Sequence, residues 1–190
     1  CIGQGLANRL IPVLHEDGSI CMCTCSCLIG STRIGTPAGT LNIEGLSKGN
    51  EVTAPQSPLV TEVALKMANP VFNDTLVTLN FDNGASLTMS DNHPLVRSDG
   101  VITQACDLDA GSSVLSESGD TIRVTTKALT PFTGTLYNLI VHPQSALVDD
   151  HVIVANGVQS GDWALQTTRD EIDSEIALRM SGVKLVAIGR

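Results

Sequence analysis

Turn-forming residues recur at short intervals between residues 27 and 161, and their spacing leaves room only for short elements between them. Residues 82–84 (Asp-Asn-Gly), 98–100 (Ser-Asp-Gly) and 156–157 (Asn-Gly) are typical of tight turns between antiparallel strands. The segments between the turns are rich in Val, Ile, Leu and Thr. Many short strands at regular spacing predict a mostly β fold of barrel or folded-ribbon type and disfavour βαβ units.

The clearest β-type runs are all shorter than nine residues, and each predicts a separate strand. No internal repeat or low-complexity segment appears in the sequence. The runs are residues 59–66, 76–81, 86–89, 121–126, 135–141 and 151–155.

The composition limits the classes of function. Hydrophobic residues make up 42% of the 190 residues and charged residues 16%, which predicts a buried core and not a disordered chain. The net charge is −9 and the eleven basic residues are scattered, whereas phosphate binding needs clustered Lys and Arg. No apolar stretch is long enough to span a bilayer. We therefore expect no nucleic-acid partner and no transmembrane segment.

Three parts of the chain differ in character. Residues 1–26 form a cysteine-rich lead-in, residues 27–162 form the β domain, and residues 163–190 form a tail. The tail predicts a C-terminal helix or linker, because its apolar residues recur at helical spacing. These residues are Leu165, Ile172, Ile176 and Met180.

Cysteines are concentrated in the lead-in, where four of the six alternate with other residues. Alternation by two places them on one face of an extended strand. Three interpretations remain open: a zinc site, disulfides that include Cys1 or Cys106, and half-buried thiols on a strand. The alternating residues are Cys21, Cys23, Cys25 and Cys27.

Four segments carry the most specific pattern, and they are residues 27–52, 87–95, 136–141 and 151–158. The first is a Cys that opens a strand–turn–strand pattern, and the second contains Ser-x-x-His. In this order the segments resemble the Hint superfamily of Hedgehog autoprocessing domains and inteins, and they are most similar to bacterial intein-like domains. The resemblance implies an all-β horseshoe fold with pseudo-twofold symmetry.

The resemblance also implies roles for residues at the start of the domain. Cys27 matches the nucleophile that opens a Hint domain, so the scissile bond would join Ser26 to Cys27. Ser90 and His93 match the Thr-x-x-His motif of the superfamily, with Ser in place of Thr.

The end of the domain matches the intein pattern less closely. Asn138 falls where many inteins carry Asp, and His151 matches the His of a later motif. Gly161 and Asp162 stand where inteins have a penultimate His and a cyclising Asn, and Trp163 follows where they have Cys, Ser or Thr. The resemblance therefore implies cleavage at the N-terminal junction without full splicing.

The chemistry of that cleavage follows from the residues. Attack of the Cys27 thiol on the Ser26 carbonyl is an N–S acyl shift, which gives a thioester and frees the Cys27 nitrogen. That nitrogen needs a proton, which His93 is expected to supply, while Ser90 either bonds the scissile amide or orients the imidazole. The substrate is the polypeptide linked in cis, and the acyl acceptor is water, a thiol or a hydroxyl. We expect neither a cofactor nor a metal in this site.

An alternative function fits the same sequence. The chain would then be a non-catalytic module of the Hint fold, stapled by a metal or by disulfides in its cysteine-rich segment. Such a module would form part of a larger secreted or surface protein. Bound zinc near stoichiometry would favour this interpretation, whereas a new fragment that begins at Cys27 would favour self-processing.

Overall fold

The computed structural model describes residues 11–14, 20–23, 27–57 and 61–167 as fourteen strands and a few single helical turns. The strands are β1 (Ile11–Leu14), β2 (Ile20–Cys23), β3 (Leu28–Ile29), β4 (Arg33–Thr36), β5 (Gly39–Asn42), β6 (Glu51–Val52), β7 (Thr61–Phe81), β8 (Ser86–Met89), β9 (Pro94–Val96), β10 (Ile102–Gln104), β11 (Ser113–Leu115), β12 (Thr121–Val141), β13 (Val152–Ala155) and β14 (Val158–Gly161). The 3-10 turns are Ile43–Gly45, Ala105–Asp107 and Val148–His151, and α1 is Ala164–Thr167.

The strands form two six-stranded antiparallel sheets and a separate hairpin. One sheet has the order β10-β9-β14-β13-β4-β5, and the other has the order β11-β12-β3-β8-β7-β6. The strands β1 and β2 pair with each other. The mostly β fold expected from the turn spacing is therefore confirmed. Within the described residues, no helix has the length and apolar character of a membrane span.

The longest elements of the domain are two strands of 21 residues, β7 and β12. They pair antiparallel from Phe81 and Val124 at one end to Val63 and Val141 at the other, with three register shifts. Each joins two runs that the sequence analysis had separated. The middle of the paired ribbon lies outside the core, since residues 125–133 of β12 are mostly exposed.

Most of the domain consists of two halves with the same plan, β3 to β7 and β8 to β12, and the hairpin of β13 and β14 follows them. Each half has a short strand, a hairpin, one 3-10 turn, a second short strand and a 21-residue strand. Hydrogen bonds repeat as well: the Ile43 N–H donates to the Thr32 carbonyl at 2.8 Å, and the Ala105 N–H donates to the His93 carbonyl at 3.0 Å. This is the pseudo-twofold arrangement that the resemblance implies.

A short apolar pattern underlies the repeat. Each half has Leu-x-x-Gly-x-x-Val after its hairpin, with both Leu and Val side chains buried in the same core cluster. Both glycines have positive φ, which favours glycine over residues that carry a Cβ. The two sets are Leu46, Gly49, Val52 and Leu108, Gly111, Val114. The sequence thus contains a short repeat that the order of the structural elements brings out, although no internal repeat was expected from the sequence.

The predicted C-terminal helix is not supported by the described residues. The part of the tail that is described, residues 163–167, contains only the short helical turn α1, in which Leu165 is buried beside Val96, Val148 and Val152. The remaining residues of the predicted helical face, Ile172, Ile176 and Met180, lie outside the described residues.

Candidate active site

Cys27 lies directly before β3, between two neighbouring strands. Leu28 of β3 pairs with Met89 of β8 on one side and with Tyr137 of β12 on the other. Continuing both registers by one residue places Cys27 between Ser90 and Asn138. The structure therefore brings together three residues that are far apart in the sequence.

Ser90 contacts the peptide bond that precedes Cys27. The Cys27 N–H donates to Ser90 Oγ at 2.9 Å, and the Ser90 hydroxyl in turn donates to Asn92 Oδ1 at 3.0 Å. A backbone bond of 2.9 Å from the Ser90 N–H to the Cys27 carbonyl holds the two residues in register. Of the two functions considered for Ser90, the geometry matches a hydrogen bond to the amide. Ser26, the other residue of the predicted scissile bond, lies outside the described residues.

Apolar side chains surround Cys27. It packs in one cluster with Phe72, Leu76 and Leu136, and its exposure is 8%. Such a wall limits access of bulk water, which strengthens the electrostatic interactions inside the site.

His93 is fully buried and hydrogen-bonded to a residue that carries no sequence motif. Its Nε2 lies 2.6 Å from Ser160 Oγ on β14. Burial lowers the pKa of His93 from 6.5 to about 3, because the cation would lose its hydration. The imidazole is therefore neutral near pH 7. A neutral ring must receive a proton before it can supply one to a departing nitrogen, which refines the function expected from the sequence.

The lowered pKa of His93 predicts a pH dependence of stability. In the unfolded chain the imidazole takes up a proton near pH 6.5, whereas in the folded state it does so only near pH 3. Its contribution is therefore present above pH 6.5 and is lost as the pH falls toward 3, at about 1.4 kcal/mol for each unit of pH in that window. We expect urea unfolding free energies of His93→Gln to fall less steeply with acidification than those of wild type. Equal slopes would contradict the burial argument.

Asn138 is fully buried on β12, where its Oδ1 accepts the Leu139 N–H at 2.8 Å. The local bond fixes the direction of the amide group. In the continued register Asn138 lies opposite Cys27.

His151 and Asp162 form a second buried cluster. His151 Nδ1 lies 3.1 Å from Asp162 Oδ2, and His151 Nε2 donates to the Ser145 carbonyl at 3.0 Å. Burial alone would lower the pKa of His151, but the hydrogen bond and charge of Asp162 outweigh it and raise the pKa. Burial raises the pKa of Asp162, although the neighbouring imidazole opposes this shift. The imidazole and the carboxyl group therefore each favour their protonated form more than they would in water.

The pair of His151 and Asp162 is hydrogen-bonded to β12, the strand that also carries Asn138. Asp162 Oδ2 accepts the Val141 N–H at 2.8 Å, and the Trp163 N–H donates to the Leu139 carbonyl at 2.9 Å. Leu139 follows Asn138, so the residues around Cys27 and the pair of His151 and Asp162 both contact the last four residues of β12. The structure thus brings the N-terminal and C-terminal ends of the β domain to one strand.

Gly161 leaves no space for the penultimate His of inteins. A Cβ at this position would lie 2.7 Å from Leu165 Cδ1 and 2.7 Å from Pro94 Cγ. The proline ring is rigid, so the conflict cannot be relieved by a simple rotamer change. The packing around Gly161 therefore disfavours the His that inteins carry at this position.

We expect Gly161→Ala to destabilise the fold by about 1–3 kcal/mol, the usual cost of overpacking a core. Denaturant unfolding measures the difference. Gly45→Ala is the matched control, because nothing lies within 4 Å of a Cβ at that position and its φ is not positive. Equal stability of the two variants would show that the space around Gly161 adapts.

Sequence patterns did not predict several residues that position His93 and His151. Asp150 accepts hydrogen bonds from Ser57 Oγ at 2.7 Å and Ser145 Oγ at 2.6 Å, and thereby fixes the segment whose carbonyl binds His151. Ser160 reaches His93 because β14 pairs with β9 at Leu95. No local signal marks these residues, since each contact depends on strand pairing or loop packing.

The cysteine-rich lead-in is described only in part. Cys21 and Cys23 belong to β2, whereas Cys1 and Cys25 lie outside the described residues. Cys106 lies in a 3-10 turn, and burial together with Asp107 raises the pKa of its thiol. The described residues contain no group of three or more His, Cys, Asp or Glu that could hold a metal ion. The zinc and disulfide interpretations of the lead-in stay predictions.

Comparison with solved structures identifies the fold. The solution structure of a bacterial intein-like domain from Clostridium thermocellum matches with a TM-score of 0.62 and 20% identity, over 73% of this chain and 99% of that one. The crystal structure of the gp41-1 intein matches with a TM-score of 0.60 and 16% identity, over 73% and 99%. A variant of the Ssp DnaB mini-intein matches with a TM-score of 0.60 and 14% identity, over 75% and 96%.

No family model matches the sequence, and no curated protein matches it either. At these identities the likeness establishes the fold and leaves the activity open. The resemblance to inteins and bacterial intein-like domains is confirmed at the level of the fold.

Proposed function

We propose that the domain cleaves its own backbone between Ser26 and Cys27 by an N–S acyl shift. The observation that carries this proposal is the hydrogen bond from the Cys27 N–H to Ser90 Oγ, which is 2.9 Å long. The Ser90 hydroxyl thus contacts the Cys27 nitrogen, which is the leaving group of the reaction. Any buried backbone N–H needs an acceptor, but here the acceptor is a hydroxyl that can also bond the amine formed by the acyl shift.

The acyl shift moves one bond and one proton. The Cys27 sulfur forms a bond to the Ser26 carbonyl carbon, and the bond from that carbon to the Cys27 nitrogen breaks. The thiol proton ends on the nitrogen, and His93 carries it there as a neutral base that becomes a transient acid. With a pKa of about 3 the protonated ring of His93 is a strong acid, so it forms only transiently and readily gives its proton to the nitrogen.

Ser90 favours the products of this step over the starting amide. Its Oγ accepts a neutral N–H bond before the reaction and a bond from an amine or ammonium afterwards. Hydrogen bonds to a charged group are roughly twice as strong as neutral ones. Ser90 therefore binds the developing amine more tightly than the amide, which is the requirement for catalysis.

The thioester is resolved by water, by a small thiol or by a hydroxyl, and the segment before Cys27 is released or transferred. Full splicing is not part of the proposal. Gly161 cannot be replaced by the penultimate His without a steric conflict, and a carboxyl group at Asp162 takes the place of the cyclising amide.

Incubation of the purified chain with dithiothreitol or hydroxylamine tests the proposal. We expect a fragment whose mass corresponds to residues 27–190, together with an adduct of the segment before it. Both reagents trap thioesters, so the adduct distinguishes this route from proteolysis. An unchanged intact mass over long incubation with either reagent would contradict the proposal and favour a non-catalytic module.

A further inference from the structure

We infer that Ser160 is a positioning residue for His93, whose hydroxyl donates to Nε2 and so holds the ring proton on Nδ1. The consequence for cleavage rests on the proposed function. The tautomer itself can be measured whether or not the chain is cleaved.

The two possible acceptors of the Ser160 hydroxyl are at very different distances. Nε2 of His93 lies 2.6 Å from Ser160 Oγ, whereas the Pro94 carbonyl oxygen lies at 3.4 Å. Hydroxyl donors in proteins usually lie 2.5–3.0 Å from their acceptors. The hydroxyl hydrogen is better placed on the nearer acceptor, and 2.6 Å is also shorter than N–H···O bonds usually are, so we assign Nε2 as the acceptor.

Neither side chain can turn to another partner without disturbing the core. Ser160 and His93 are both 0% exposed, so water does not replace the bond. Ser160 lies in β14 between two paired strands, opposite Leu95 of β9 and Ile153 of β13. Leaving a buried polar group without its partner costs more than the bond contributes when made. The contact is thus fixed by the sheet.

A neutral imidazole carries one hydrogen, and its place decides what the ring can do. With Nε2 accepting from Ser160, the hydrogen sits on Nδ1. The ring then offers an N–H donor at Nδ1 without carrying a charge in a buried site. Because Ser160 is two residues before Asp162, the C-terminal strand sets the tautomer of a histidine that the motif assigns to the N-terminal junction.

Nitrogen NMR of the full chain labelled with ¹⁵N-histidine measures the tautomer. The His93 signals are identified as those missing from His93→Gln. In wild type we expect a pyridine-type shift for Nε2 and a pyrrole-type shift for Nδ1. Ser160→Ala should shift the population toward a protonated Nε2, and Ser160→Thr, which keeps the hydroxyl, should retain the wild-type pattern.

Ser116→Ala is the matched control, since Ser116 is a buried serine whose hydroxyl bonds Ser118 and the Asp120 backbone and not a histidine. It should leave the His93 signals unchanged. A pyrrole-type Nε2 in wild type, or identical His93 shifts in wild type and Ser160→Ala, would overturn the inference.

Cleavage rates give the functional readout. We expect Ser160→Ala to slow thiol-induced cleavage by up to about tenfold, which is the scale of one net hydrogen bond, and Ser160→Thr to restore most of the rate. If wild type does not cleave at all, the proposed function fails while the NMR result still decides the tautomer. If Ser160→Ala changes the shifts and cleaves at the wild-type rate, the positioning role is refuted.

Discussion

Replacing Cys27 with alanine should abolish the thiol-induced fragment of residues 27–190. The sulfur atom is the only group of the residue able to attack the preceding carbonyl, and backbone attachment gives it an effective concentration that no external thiol can match. The fold should survive, because alanine keeps the Cβ and removes one atom from a small apolar cluster with Phe72, Leu76 and Leu136. Intact-mass spectrometry over a time course measures the result.

The matched control for this experiment is Cys106→Ala, which removes a partly exposed thiol in the second half of the domain. It should cleave at the wild-type rate and also tests whether Cys106 accepts the acyl group. Cleavage between residues 26 and 27 in the Cys27→Ala variant would contradict the proposal. A protease or a different nucleophile would then account for any fragment.

Replacing His93 with glutamine should slow cleavage by about 10²- to 10⁴-fold, the usual contribution of general acid–base catalysis. Glutamine is polar and can bond the Ser160 hydroxyl, but it cannot take up and release a proton. The thiol proton would then have to reach the Cys27 nitrogen through water, which the apolar cluster limits. Single-turnover rates with excess hydroxylamine measure the effect.

His142→Gln is the control for the loss of an imidazole elsewhere. His142 bonds Thr61 Oγ1 at 2.9 Å and lies in a loop after β12, so its replacement should leave the rate within a factor of about two. A His93→Gln rate within a few-fold of wild type would show that another group moves the proton. Thermal unfolding of both variants should be recorded, so that misfolding is not taken for lost catalysis.

The mostly β class and the choice of Cys27 and Ser90 as candidate residues followed from local patterns. Asn-Gly and Asp-Gly turns give the chain the bends of a β fold wherever they occur, because few other residues adopt the required backbone angles. Cys27 and Ser90 came from motifs with fixed spacing, and their contact in the structure has the form expected of such motifs.

The long strands were not predictable from local patterns. Pro131 and Gly134 interrupt the β-type run of β12, and two separate strands were expected there. In the structure Pro131 pairs opposite Thr75 and the strand continues. A proline is tolerated at the edge of a two-stranded ribbon, where its nitrogen need not donate to a partner. Pairing with β7 over the whole length therefore outweighs the local signal.

The sequence alone determined the β class and the choice of Cys27 and Ser90 as candidate residues, because these depend on residue type and short spacing. It left open whether Ser90 bonds the Cys27 amide or orients the imidazole, and the structure shows the bond to the amide. Only the tertiary structure decided that His93 is neutral, that Ser160 is its partner and that Gly161 cannot be enlarged. Burial, hydrogen-bond partners and free space are properties of the packed molecule. They arise between strands that are distant along the chain, so no local pattern encodes them.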